Sequence, residues 1–417
     1  MNLILQDKNI YRNFVFILAN ISVFLFFALL LPTKSGHSIA IIAGLTACIL
    51  SIPLWEKNKI TKEIKLACFF LLFLGLFWSH TFNDIFSISL KGDYLLRYLI
   101  GTFFLISFTN IGIHKKSITY GIAIGAVLSG LVAIYQSQTI GRAEGFTNAV
   151  RFGNIGMMMF LICLTASLSK YFSNKERIFY LITGIFGLIT SILSLSRGGW
   201  LILLIIPTIL LLLIKNRKIK ILSLVISIPL IFAFASVPPV EKRIDQAKDE
   251  VIGYINNRDN YIETSIGARL EQWKTAFLMG LEKPLSGWGD QELKNGKVQF
   301  IEQGISDPSI MNYHHAHNDF LEQWARRGII GVFTLIIIYT APIYLLRSST
   351  KKINDQESRF FIITGIIIYF GYFISGLTSV FFTFVISHNF YLFSFIFLLS
   401  ASEYKNSIHL KKIHGNS

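Results

Sequence analysis

Apolar residues run along this chain in twelve blocks, roughly 14–32, 36–53, 64–80, 95–113, 117–136, 154–171, 177–194, 199–215, 219–237, 328–346, 360–380 and 384–401. Each block is close to the ~20 residues that a helix needs to cross a hydrocarbon core. Short polar connections separate them, shortest within 14–53 and 360–401. One interval breaks the rhythm: a polar stretch of roughly ninety residues, Pro238 to Arg327, between the ninth and tenth blocks. The pattern predicts an all-α, polytopic integral membrane protein of about twelve transmembrane helices, with a large loop between helices nine and ten. It divides the chain into helices one to nine (1–237), the loop (238–327), helices ten to twelve (328–402) and a short polar tail (403–417). A soluble protein with twelve buried helices would need amphipathic elements to cover that core. The pattern leaves none.

The net charge of +15 would ordinarily raise nucleic acid as a partner. Its distribution gives a different reading. With the N-terminus cytoplasmic, the inner segments carry 22 of the 39 basic residues, and the short outer loops carry six: Lys34, Lys91, Arg97, Arg142, Arg151 and Arg197. The long loop holds the other eleven. Acidic residues number seven, three and fourteen in the same three groups, so the long loop is net acidic and the basic excess lies on one face. The positive-inside rule then predicts cytoplasmic termini and an external loop. The basic clusters face anionic membrane lipids, and no nucleic-acid partner is expected. Cys48, Cys68 and Cys163 all fall inside apolar blocks, which indicates neither a disulfide framework nor a cysteine metal site. The first apolar run is too long for a cleavable signal and reads as an uncleaved span.

The helix centres are nearly free of Asp, Glu, Lys and Arg. Ion-coupled transporters keep such groups at mid-bilayer. Chemistry at the outer interface is therefore expected here, where four constellations stand out.

Ser194-Leu195-Ser196-Arg197-Gly198-Gly199-Trp200 joins two apolar blocks in a tight turn. Its glycines permit unusual backbone angles and close approach, and Arg197 is either a snorkelling interfacial residue or a fixed anion-binding guanidinium. In the long loop, Ile266, Leu270, Trp273, Phe277 and Leu281 recur at helical spacing, with Ser265 as the expected N-cap and Pro284 as the stop. That apolar stripe suits a helix lying on the bilayer surface. Arg269 sits in its first turns, as a solvated surface residue or an anion ligand.

The third constellation is His314-His315-Ala316-His317-Asn318-Asp319. A helix from Asn318 to Ile330, burying Phe320, Leu321 and Trp324, would place His317 at its positive end, lowering its pKa and keeping the imidazole neutral. Three readings remain open from the residues alone: a polar loop end, a general base, or metal-ligand pairs at His315/Asp319 and His314/His317. The fourth is the glycine- and arginine-bearing segment from Gly141 to Asn154, with Arg142 and Arg151 as further phosphate contacts. No pair of carboxylates suited to glycoside hydrolysis stands out. Arginines suit a diphosphate leaving group and a neutral histidine suits deprotonation of a sugar hydroxyl.

Ser196-Arg197-Gly198-Gly199-Trp200, Gly267-Ala268-Arg269 and His315-Ala316-His317-Asn318-Asp319 through Arg327-Gly328-Ile329-Ile330-Gly331 resemble the O-antigen ligase and polymerase superfamily. The twelve blocks and the large loop resemble it too. The resemblance implies a glycosyltransferase of the bacterial inner membrane, with a periplasmic active site and no cofactor. It would transfer an undecaprenyl-diphosphate-linked O-antigen to a sugar of the lipid A core, inverting and without metal. By motif position, Arg197 and Arg269 would bind the diphosphate and His317 would activate the acceptor hydroxyl. His315, Arg142 and Arg151 match less closely. Some relatives carry an acidic residue in the last outer turn; Thr378-Ser379-Val380-Phe381-Phe382 has none here. A polymerase using the same donor is the alternative, and a polysaccharide or lipid transporter a third reading.

Overall fold

A computed structural model describes residues 2–56, 59–79, 92–212, 236, 238–350, 355–382 and 384–414. The helices in chain order are α1 (Asn2–Leu29), α2 (Gly36–Ser51), α3 (Lys62–Ser79), α4 (Gly92–Ile111), α5 (Lys115–Thr139), α6 (Ala149–Leu168), α7 (Asn174–Leu193) and α8 (Arg197–Leu212). There follow α9 (Pro238–Asn256), the single turn α10 (Arg258–Tyr261), α11 (Gly267–Glu282), α12 (Gly289–Glu302), α13 (Asp319–Thr350), α14 (Gln356–Thr378) and α15 (Val385–His414). No strand occurs among the described residues, so the fold is all-α and the protein is a multi-pass membrane protein. Nine of these helices are long and apolar enough to cross a bilayer. Lys62–Ser79 and Arg197–Leu212 add two apolar helices that are shorter or more charged. The expected ninth span, 219–237, lies outside the described residues except for Ser236, as does Lys91.

The body is organised around α15. From Phe390 to Leu399 every side chain is buried, as expected of a helix that is apolar on all sides. Phe393 and Phe397 pack edge-on or tilted against Phe26, with ring centroids 5.2 and 5.5 Å away, and Phe104 stands 5.2 Å from Phe393. Around this pillar α1 packs on α2 and α5, α3 on α4, and α6 on α7, α8 and α14.

Polar contacts join ends that the charge alternation assigns to one face. Lys115 and Lys116, at the start of α5, pair with Glu357 at 2.6 Å and Glu176 at 2.8 Å, at the starts of α14 and α7. On the opposite face Arg142 reaches Ser194, Arg327 reaches the Phe77 carbonyl, and Asn318 reaches Leu377. The functional candidates lie on this second face.

Two expectations within the loop need correction. Ser265 is exposed and does not cap α11; the Thr264 hydroxyl accepts from the Gly267 N–H (3.1 Å) instead. Thr264 wins because its oxygen also bonds the Tyr261 carbonyl (2.7 Å), which fixes it in place. Of the expected stripe of α11, Phe277 (50%) and Leu281 (53%) are exposed, whereas Ile266, Leu270 and Trp273 are half-buried. The buried face of α11 mixes polar and small residues, Glu271, Gln272, Thr275, Ala276 and Gly280, with the apolar Met279. Glu271 anchors the loop, taking a bidentate contact from Arg258 (2.6 and 3.1 Å), the Tyr254 hydroxyl (2.8 Å) and the Asp307 N–H (3.1 Å).

The second correction concerns the helix expected to run from Asn318 to Ile330 into the membrane. Residues 319–327 are helical, but Gly328 breaks the path with φ 58° and ψ −150°, a conformation essentially reserved for glycine. Twenty residues of straight helix would span ~30 Å, yet the Tyr339 hydroxyl donates to Asp319 at 3.2 Å. The first part of α13 therefore folds back beside the long membrane part, which begins at Ile329. The reversal is locked by the turn at Gly287. A Cβ there would lie 2.3 Å from the Arg326 carbonyl carbon, and one at Gly328 2.5 Å from the Pro284 oxygen. Phe320, Leu321 and Trp324 are only half-buried. The buried face carries Asp319, Glu322, Gln323 and Arg327 instead, because it meets the loop as well as the lipid-facing helices.

Candidate active site

The arginine turn comes first. Leu195 takes the left-handed conformation (φ 53°) that turns the chain between α7 and α8. Gly198 and Gly199 are in ordinary helical backbone, so close approach and not unusual angles explains them. A Cβ on Gly198 would lie 2.9 Å from both the Asn154 amide nitrogen and the Thr378 hydroxyl. Ser196 donates to the Asn154 oxygen (2.8 Å), and the Asn154 amide donates to Ser375 (3.0 Å). These bonds tie the turn to α6 and α14. Arg142 donates its Nε to the Ser194 carbonyl (2.8 Å), and the Ala143 N–H bonds the Leu193 carbonyl (3.1 Å). The two outer arginine segments are thus one unit.

Arg269, on α11, completes this unit from the loop side. Burial, then the charges of Arg197 and Arg142, push its pKa below the usual guanidinium range, with Glu250 opposing. Arg142 is lowered by burial and by Arg243 and Arg197. A guanidinium stays charged even so. Arg142, Arg197, Arg243 and Arg269 are thus linked, with Glu250, by the charges they exert on one another, and Arg197 Nη2 is buried without a hydrogen-bond partner. A buried guanidinium donor left unpaired is open to a ligand or an ordered water. Such a cluster is suited to an anion with several oxygens.

The charge of Arg269 also acts on His317. The His317 φ of 51° is left-handed, a strain of ~1–2 kcal/mol for a non-glycine residue. The strain is held from three sides. Asn318 caps α13 by accepting from Phe320 and Leu321 N–H groups (2.9 and 3.2 Å). Glu322 accepts from the Ala316 N–H (2.7 Å). Arg326 grips Glu322 and Asp290, fastening the segment to α12. The rings of His315 and His317 are 4.5 Å apart and perpendicular. The His317 pKa falls to about 4, from burial first, then His315, then Arg269. The expected direction holds, with burial as its leading cause. His315 is also lowered, chiefly by burial. His314 is exposed.

Arg151, on α6, is buried and lies over the Phe384 ring, 3.0 Å from its centroid. Its charge acts on both His315 and His317. Asp319 is fully buried and accepts from Tyr339 and from the Phe381 N–H (3.3 Å). Among the described residues no three His, Cys, Asp or Glu side chains come together in a way that could hold a metal ion.

All six sequence candidates therefore meet on one face, with Arg269 interacting with both halves. Arg97 does not join them; it pairs with Asp93 (2.6 Å) and reaches Asn389. Sequence reading missed Arg243, Glu250 and Glu322. Arg243 and Glu250 are seven apart on α9 and so share a face, which was a usable signal. Glu322 gives none, since its role depends on the fold-back at Gly328.

Residues 179–336 match the family described as O-antigen ligase. This segment includes Arg197, Arg269 and His317. A protein of Haemophilus influenzae, itself uncharacterised, is 30% identical over 364 residues, covering 84% of this chain and 89% of that relative.

Proposed function

Because this chain belongs to the O-antigen ligase family, we propose that it is an inner-membrane glycosyltransferase that attaches O-antigen to the lipid A core. The donor is undecaprenyl-diphosphate-linked glycan, and the site faces the periplasm. The observation that supports this reading is the arginine turn, where Arg142 is bonded to the Ser194 carbonyl (2.8 Å) and Nη2 of Arg197 is buried without a hydrogen-bond partner; the charge of Arg269 bears on both this turn and His317.

Each half has a task. His317 accepts the proton of the acceptor hydroxyl as that oxygen attacks the anomeric carbon. The bond from the anomeric carbon to the diphosphate oxygen breaks on the opposite side, so the configuration inverts. Negative charge develops on the departing diphosphate, where Arg197, Arg269 and Arg142 stabilise it. The arginines supply positive charge that a metal ion would supply in other transferases. Arg151, with its guanidinium stacked on Phe384, helps keep His317 unprotonated.

A polymerase would use the same donor and the same residues on a different acceptor. Deleting the gene and resolving the lipopolysaccharide on a gel separates the two. Polymer made but left unattached is the expected result. Core bearing one repeat unit would assign the polymerase, and an unchanged ladder would contradict both.

A further inference from the structure

The last outer turn, between α14 and α15, carries an aromatic ring that the chemistry above does not use. Phe384 is 37% exposed. One of its faces is covered, because the buried Arg151 guanidinium stands 3.0 Å from the ring centroid, so the exposed area belongs to the opposite face and the rim. The backbone here is fixed. The Phe384 carbonyl accepts the His388 N–H (2.9 Å), the opening bond of α15. The His388 ring donates to the Phe382 carbonyl (3.2 Å), and the Phe381 N–H donates to Asp319 (3.3 Å). His315 stands edge-on to Phe384, with centroids 6.3 Å apart and planes at 78°. His317 follows at 4.5 Å and 88°, and Tyr313 at 6.1 Å and 76°. The proposed base thus sits in a row of four rings, each nearly perpendicular to the next, with Phe384 at one end.

Resting on the function proposed above, we propose that the free face of Phe384 is the platform on which a sugar of the acceptor stacks while a hydroxyl of that acceptor is presented to His317. An aromatic face is the negative side of a quadrupole. The C–H groups on one side of a pyranose are apolar and faintly positive, so that side lies flat on such a face. The hydroxyls around its rim stay free for polar partners. Arg151 is drawn to the covered face by the same quadrupole and holds the ring still. An aromatic side chain turns about two bonds only, so little freedom is lost when a sugar covers it. Two centroid steps separate Phe384 from His317, within the length of a disaccharide, so the stacked sugar is the reacting one or its neighbour. The ring belongs to the row that holds the base, whereas the diphosphate is assigned to Arg197 and Arg269, on α8 and α11. Its ligand is therefore the acceptor and not the donor. A sugar with an axial hydroxyl on the stacking side would be held off, which makes Phe384 a specificity residue.

The test uses the purified full-length protein and core oligosaccharide freed of its lipid by mild acid, so that acyl chains contribute nothing. Phe384→Leu still covers Arg151 but offers no flat face; Phe384→Trp offers a larger one. The leucine variant is expected to bind the oligosaccharide about tenfold more weakly, the upper range for a stacked ring pair, and to raise its KM in transfer equally. The tryptophan variant should bind at least as tightly as wild type. KM for the undecaprenyl-diphosphate donor and the acid limb of the pH profile should be unchanged in both, which reports an intact arginine turn and His317. Wild-type affinity in Phe384→Leu, or no binding by wild type, would overturn the platform. So would an acid limb moved by the leucine variant, since the ring would then act through Arg151, or a raised KM for the donor alone. Ring-dependent binding without transfer to the oligosaccharide or to intact lipid A core would leave the platform standing and overturn the transferase reading.

Discussion

The arginine turn and the histidine segment share Arg269 but are built in opposite ways. The turn at 194–199 is clamped between membrane helices by Ser196, Asn154 and Ser375, with no room for side chains at Gly198 and Gly199. The segment at 313–319 is irregular, holds His317 in a left-handed conformation and depends on Glu322 and Arg326 for its shape. Burial also acts on them differently. A guanidinium cannot shed its proton, so a dry setting leaves the arginines charged. An imidazole can, so the same dryness makes His317 neutral. On the proposed function, one desolvated face serves both as an anion site and as a base.

That contrast can be broken at either end. The largest effect is expected from Arg197→Ala or Arg269→Ala. Each should lower the transfer rate by a hundredfold or more, ~3 kcal/mol of transition-state stabilisation, with protein level unchanged in the membrane. His317→Ala should cost about a hundredfold while leaving affinity for the diphosphate intact. His317→Asn is the sharper variant, since asparagine tolerates left-handed backbone. Equal loss in both assigns the defect to the missing base.

Glu322→Gln is expected to cost less, about tenfold in kcat/KM, by loosening Ala316 and Arg326. Diphosphate affinity should hardly change if the two halves are mechanically independent. The smallest effect concerns pH. The His317 pKa is depressed to about 4, so lowering the pH inactivates only as this value is approached. The acid limb of kcat/KM should therefore lie well below 6.5, the ordinary histidine value. A midpoint near 6.5 would mean that His317 is solvated. The same sign applies to stability: the unfolded chain binds this proton first, so stability falls as pH drops from 6.5 towards 4.

The membrane helices and the arginine turn were legible in the sequence because both are local. A block of apolar residues forms a helix wherever it lies, and Ser-Arg-Gly-Gly between two blocks leaves few geometries. The loop was less legible. The fold-back of α13 depends on Gly328 meeting Pro284, forty-four residues earlier in the chain, and no periodicity reports that. Helix α11 buries Glu271 and Gln272 beside Met279 and exposes Phe277 and Leu281, so polar and apolar residues share both of its faces. Its stripe was readable, but its partner was not. His317 was chosen among three histidines by resemblance; the structure gives it the left-handed backbone and a pKa near 4. The spacing of Arg243 and Glu250 put them on one helix face, but a charged helix face also suits plain solvent exposure, so the spacing alone did not single them out.

The most direct test of the account is glycan transfer from an undecaprenyl-diphosphate donor to lipid A core by the purified protein, wild type against Arg197→Ala. The account predicts transfer with release of undecaprenyl diphosphate by wild type, and at least a hundredfold less by the variant. Full activity in Arg197→Ala would contradict it.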